Sequence, residues 1–179
     1  MKNGKLQKLV LAAVFLAVGL VLPFLTAQVK EIGDTLLPMH LPVMLCGLLC
    51  GPYYGLTVGL LLPLFRSLLF SMPPIYPQAV WMACELATYG LVIGLVYRSI
   101  KKSGLARVYI SLGVSMLCGR VVWGVVKAIL LGIGGSSFTV QAFIVGGFLD
   151  AIPGILLQLI LIPLIMSLVL RIRHTDASR

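Results

Sequence analysis

Apolar residues run through this chain in long blocks, separated by short polar or glycine- and proline-rich gaps. The first block, residues 6–25, follows Lys2, Lys5 and Lys8. A basic start, an apolar stretch and small residues at Thr26 and Ala27 also describe a signal peptide. The block is long for one, however, and the remaining chain is equally apolar, so the pattern predicts a retained first span. A polar segment, 26–39, carries Lys30, Glu31 and Asp34. The next block, 41–50, is too short to cross a bilayer, which takes about 20 residues. It meets the turn signal Gly-Pro-Tyr-Tyr-Gly at 51–55 and then a further block at 56–70, which predicts two short helices in a hairpin turned at Pro52. Residues 71–78 form a loop stiffened by Pro73, Pro74 and Pro77. A fourth span is predicted at 79–97, a fifth at 108–131 and a sixth at 141–170, the last bent at Pro153 and Pro163. The connector 98–107 and the tail 171–179 are basic, and 132–137 is glycine-rich. No internal repeat or low-complexity segment is present.

Composition turns these blocks into a class of protein. Of 179 residues, 60% are hydrophobic and 11% charged, whereas soluble chains carry about 25% charged residues. The expectation is an all-α integral membrane protein: one transmembrane domain over 1–179, a six-helix bundle, with no soluble catalytic domain. The net charge of +9 does not point to nucleic acid, because the basic residues occupy the gaps between apolar blocks. Three lysines at the N-terminus, four basic residues in the connector and three in the tail would lie on one side, ten of the fourteen. Only Lys30 lies in the opposite loops, and the positive-inside rule then makes both termini cytoplasmic. Loops 26–40, 71–78 and 132–140 face outward. Cys46, Cys50, Cys84 and Cys118 all fall within apolar blocks; Cys46 and Cys50 share a helical face but have no histidine or acidic cluster beside them, so they read as small apolar residues rather than metal ligands.

Charge inside the spans carries the candidate chemistry, since a buried charge in a membrane is by default a functional-site hypothesis. Arg66 falls near the outer end of the third helix. Glu85 lies roughly 10 Å, and Asp150 roughly 13 Å, from the outer end of its span at ~1.5 Å per residue. Lys127 is near the outer end of the fifth span and Arg120 about two turns deeper. All five therefore belong to the outer half of the membrane, which suggests one polar cavity open to the outside. The spacings agree: Trp81, Glu85 and Thr88 form one helical stripe, Arg120, Trp123 and Lys127 a second, and Gly147, Asp150, Gly154 and Gln158 a third. Tryptophan beside charge suits a flat or compact organic molecule with polar groups. The alternative is that Glu85–Arg120 and Lys127–Asp150 are ion pairs holding the bundle together. Two acids against three bases leave one positive charge over, which an anionic ligand would neutralise. His40, in the outer segment Leu-Pro-Met-His-Leu-Pro, reads either as a rim binding residue or as a structural cap.

The chain holds no P-loop, no His-Glu-x-x-His, no nucleophile elbow and no acid cluster suited to Mg²⁺. Six short spans, a long first outer loop, the stretch LLPMHLPVMLCGLLCGPYYG and an outward polar pocket instead resemble the substrate-binding component of an energy-coupling factor (ECF) vitamin transporter, over essentially the whole chain. The resemblance implies a bacterial plasma-membrane protein that binds a vitamin or its precursor from outside, without cofactor or bond chemistry, the first outer loop helping to close the site. It also implies docking through small residues of the first helix, which Ala13 and Ala17 match as Ala-x-x-x-Ala, onto a transmembrane coupling subunit driven by two ATPases. Small-x-x-x-small is a generic packing motif as well.

Three readings follow. The first is a solute-capturing transporter subunit, using His40, Arg66, Trp81, Glu85, Arg120, Trp123, Lys127 and Asp150. The second is a membrane-embedded enzyme acting on a lipid or isoprenoid, with Glu85 or Asp150 as acid or base. The third is an assembly factor whose buried charges are structural. Absent metal and nucleophile motifs weigh against the second, and the outward pocket against the third. A net positive pocket favours a carboxylate-bearing vitamin, pantothenate fitting best; the tryptophans keep pyridoxine and hydroxymethylpyrimidine close behind.

Overall fold

The structure, a computed structural model, describes residues 2–26, 37–101, 104–135 and 138–177. Residues 27–36 of the expected first outer loop, with Lys30, Glu31 and Asp34, therefore lie outside the described residues. Helix α1 (Lys2–Val21) tightens into a narrower turn at Leu22–Thr26, where Pro23 interrupts the α-helical bonding. Helix α2 (His40–Leu49) is ten residues long, a rise of about 15 Å and half of a hydrocarbon core. Helix α3 (Pro52–Phe70) follows at once, with Pro52 in the first turn, where its missing N–H is no loss. The turn between them needs Gly51, whose φ of +116° favours a residue without Cβ.

The stretch Ile75–Ala79, kinked at Tyr76 where the backbone is extended (φ −127°, ψ 134°), leads from the expected loop 71–78 into α4 (Val80–Ser99). Helix α5 (Leu105–Ile133) is longer than the expected span by a few residues at each end. The expected sixth span is divided rather than bent at its first proline. A short α6 (Val140–Ile144), capped by the Thr139 hydroxyl accepting from the Ala142 N–H, passes into a wide-turned segment, Val145–Leu149. Helix α7 (Ile152–Ala177) then begins with Pro153 in its first turn and runs through Pro163.

The described residues thus form an all-helical fold in which five helical stretches are long and apolar enough to cross a membrane. Six spans were expected. The difference is α2, which starts only at His40 and is stopped by the Gly51–Pro52 turn. With this set of helices the chain is a multi-pass membrane protein.

Helix α4 is the centre of the bundle, with α2, α3 and α5 packed against it. Glycines make this approach unusually close. Gly55 and Gly59 on α3 face Gly90 and the Leu86 carbonyl on α4, and a methyl group at any of the three glycines would collide with the opposite backbone. Apolar helices in lipid gain little from hydrophobic burial against one another, so backbone approach of this kind supplies contact energy instead. Both ends are tied. At one, Arg98 Nη2 donates to the Cys50 carbonyl at 3.3 Å, joining the foot of α4 to the α2–α3 turn. At the other, the Phe24 and Phe70 rings meet edge-on, 4.9 Å between centroids, joining the ends of α1 and α3.

Candidate functional site

Because α4 is central, a polar side chain on its inner face has no route to water, and Glu85 takes that position. It is 2% exposed. Its partner comes from α5: Arg120 Nη1 donates to Glu85 Oε1 at 3.1 Å, with Arg120 itself 4% exposed. A third element closes on the same oxygen. His40, the first residue of α2, places Nε2 3.5 Å from Glu85 Oε1 without making a hydrogen bond. The short helix thus delivers a histidine to the middle of the bundle. His40 is buried rather than at a rim, 2% exposed, and no side chain caps α2.

Tyr89, one turn on from Glu85, completes this centre. The His40 ring stands edge-on to it, 5.0 Å between centroids and 71° between planes. Gly119 makes room on α5, since a Cβ there would lie 2.7 Å from the Tyr89 ring. Tyr89 was not foreseen as a site residue, although the i, i+4 step from Trp81 to Glu85 continues to it. Gln158 on α7 is also buried, and its side-chain nitrogen has no partner among the described residues.

A second, aromatic group adjoins the first through Trp123. Arg120 Cζ lies 6.0 Å from the Trp123 ring centre, and Lys127 Nζ lies 4.5 Å from it. The Lys127 ammonium is also 5.2 Å from Trp81 and 5.3 Å from Phe138, so three rings from α4, α5 and the stretch before α6 surround one cation. Gly146 and Gly147 of the wide-turned segment lie against the Trp123 indole, where a Cβ would stand 3.4 and 3.3 Å from it. The two stripes read on α4 and α5 therefore face each other, and Phe138 is an addition to them.

Two of the expected site residues lie elsewhere. Arg66 is buried, but its Nη1 donates to the Leu20 carbonyl at 2.8 Å, and its guanidinium sits 5.1 Å from Phe24 and 5.6 Å from Phe70. That carbonyl lies where α1 gives way to the narrower turn at Leu22–Thr26, and Arg66 donates to it. Asp150 lies in the break between the wide-turned segment and α7 and is exposed. Of the two ion pairs considered, Glu85–Arg120 is present. Ala13 and Ala17 are exposed on one face of α1, away from the bundle. Among the described residues no three His, Cys, Asp or Glu side chains are grouped as metal ligands would be.

A multi-pass helical membrane protein with a charged, histidine-containing centre and an aromatic wall is equipped to hold a small polar solute. Comparison with protein families gives this class its name. Residues 7–166 match the family described as ECF transporter, substrate-specific component. The chain belongs to that family and is a substrate-specific transporter subunit. Such components bind a small substrate and associate with ECF module subunits in the membrane; they form a transporter family, not an enzyme family. No curated protein and no solved structure is significantly similar to the chain.

Proposed function

We propose that this protein captures a vitamin or vitamin precursor at the outer side of the bacterial plasma membrane and hands it to a transmembrane coupling subunit powered by two ATPases. Pantothenate is the preferred candidate, with pyridoxine and hydroxymethylpyrimidine behind it. The chain acts as one transmembrane domain, 1–179, that makes and breaks no bonds. The observation that carries the reading is the buried meeting of His40, Glu85 and Arg120 around a single carboxylate oxygen, with donor nitrogens left over. Pantothenate offers a carboxylate, hydroxyls and amide carbonyls to such donors. Trp81, Trp123 and Lys127 form the adjoining wall.

The outward orientation rests on charge. The α2–α3 turn touches Arg98 of the basic connector, whereas the Phe24–Phe70 contact marks the other end. With α2 and α3 counted as one in-and-out excursion from the outer side, both termini are cytoplasmic. Ala13 and Ala17 then present a small-residue surface of α1 to the coupling subunit. The test is to purify the protein from membranes of cells grown on rich medium and identify by mass spectrometry the small molecule released on denaturation. Release of pantothenate, with saturable binding of labelled pantothenate to the emptied protein, is the expected result. Release of a lipid or an isoprenoid alone would overturn the reading.

A further inference from the structure

We infer that the Nε–Nη2 edge of Arg120 is the seat of a carboxylate on the captured solute, and that Glu85 is a positioning residue that aims this edge without touching the solute. The inference rests on the reading of the chain as a solute-capturing subunit.

Only one nitrogen of the Arg120 guanidinium has a hydrogen-bond partner among the described residues. The group is a rigid, planar fork of donors that cannot lose its charge. Glu85 Oε1 accepts from Nη1 alone. The other two nitrogens, Nε and Nη2, are buried and have no hydrogen-bond partner among the described residues. They share one edge of the plane, with N–H bonds running parallel, and that edge matches the two oxygens of a carboxylate. The Glu85 oxygen at Nη1 does not cover this edge, which is left open to a second acceptor with two oxygens.

The surroundings repeat the demand. Every buried side-chain polar atom without a partner among the described residues is a nitrogen: the two of Arg120, both of His40, and Gln158 Nε2. Unsatisfied buried donors are expensive, charged ones most of all. The two free nitrogens of Arg120 and the N–H that His40 carries in either neutral tautomer meet at one centre and specify a guest that brings acceptors. The ion pair with Glu85 also fixes the rotation of the guanidinium about its long side chain, so the free edge keeps a defined direction.

The test compares matched acids and neutral analogues by thermal stabilisation and titration of the purified full-length protein: pantothenate with panthenol, nicotinate with nicotinamide, biotin with biotinamide. In whichever pair binds, the acid is expected to bind about ten- to a hundredfold more tightly. Arg120→Lys keeps a positive charge but not the fork, and acid and neutral analogue should then bind within about threefold of each other. Glu85→Gln, which still offers Nη1 an oxygen, should retain the acid preference, and Glu85→Met should lose it; a merely structural Glu85 would leave that ratio unmoved. Equal binding of acid and neutral analogue by the unaltered protein overturns the assignment and leaves the capture reading standing, and this comparison needs no variant to fold. If none of the six compounds binds, the solute that co-purifies decides. One bearing a carboxylate, absent from Arg120→Lys preparations, supports the assignment. One without a carboxylate overturns it alone, and no solute at all overturns both it and the capture reading.

Discussion

Removing the charge of Arg120 is the perturbation whose outcome the structure constrains most. Arg120→Met keeps much of the side-chain volume but leaves the Glu85 carboxylate, 2% exposed, without its guanidinium and with His40 at 3.5 Å and the Tyr89 hydroxyl as polar neighbours. Breaking a buried ion pair from one side costs about 3–5 kcal/mol, because the remaining charge is stranded. At about 2–4 °C per kcal/mol for a chain of this size, the unliganded protein should melt roughly 6–20 °C lower. The double variant Arg120→Met plus Glu85→Gln removes the stranded charge. Replacing both members of a buried pair is often close to neutral, so the double variant should recover more than half of the loss. The four proteins form a double-mutant cycle, measured by thermal unfolding in one detergent without added solute, and the coupling term isolates the pair from any general effect of methionine. A single Arg120→Met variant that melts with the unaltered protein would refute the reasoning, since Glu85 would then not depend on Arg120 for its charge. Additive losses in the double variant would refute it equally.

Other outcomes test separate parts of the structure. Gly59→Ala and Gly90→Ala push a methyl group into the opposite backbone of the α3–α4 contact and should each lower the melting temperature, whereas alanine at Gly113, which has open space around its Cβ position, should not. Arg66→Met leaves the Leu20 carbonyl without its donor; a loss of about 1–3 kcal/mol of stability is expected, with solute affinity unchanged in titrations. In a background without the four native cysteines, a cysteine at Ser71 should react with an impermeant thiol reagent in intact cells and one at Ser103 should not; labelling at Ser103 alone would reverse the orientation. Leucine at Ala13 or Ala17 should depress uptake in whole cells while leaving binding by the isolated protein intact.

Much of this fold was legible in the sequence because a bilayer restricts what a chain can do. Long apolar blocks must become helices, and their polar gaps must become the connections. The turn at Gly51–Pro52 and the shortness of α2 followed from local chemistry. The facing of Glu85 and Arg120 followed from helical stripes combined with a topological count. Position along a helix is readable in this way, but direction around its axis is less so. Arg66 is a charge in an apolar span as Glu85 is, yet its guanidinium reaches the Leu20 carbonyl at the end of α1. Asp150 was placed deep in a continuous span, but the wide-turned segment containing Gly146 and Gly147 ends the helix before it. The Gly55/Gly59 and Gly90/Gly94 pairs carry the same small-x-x-x-small spacing as Ala13 and Ala17. Nothing in such a spacing says which helices it joins.

The two buried arginines show how structure and function part company inside one membrane protein. Both lie 4% exposed, and on sequence alone both are charges in an apolar span. Arg66 spends its guanidinium on a backbone carbonyl and two aromatic faces, and none of its nitrogens is a buried orphan. Its surroundings are complete, so its removal is a question of stability. Arg120 meets one carboxylate oxygen and leaves two charged donors buried beside a histidine that has no hydrogen bond either. An arrangement like that raises the free energy of the unliganded protein, and a solute bringing acceptors lowers it again. Binding then draws on a deficit already built into the fold, held open by glycine-tight packing of α3 and α4 that stops the helices from shifting to relieve it. It follows that loosening this contact, as in Gly59→Ala, should weaken solute binding even though the substituted residue touches no part of the charged centre.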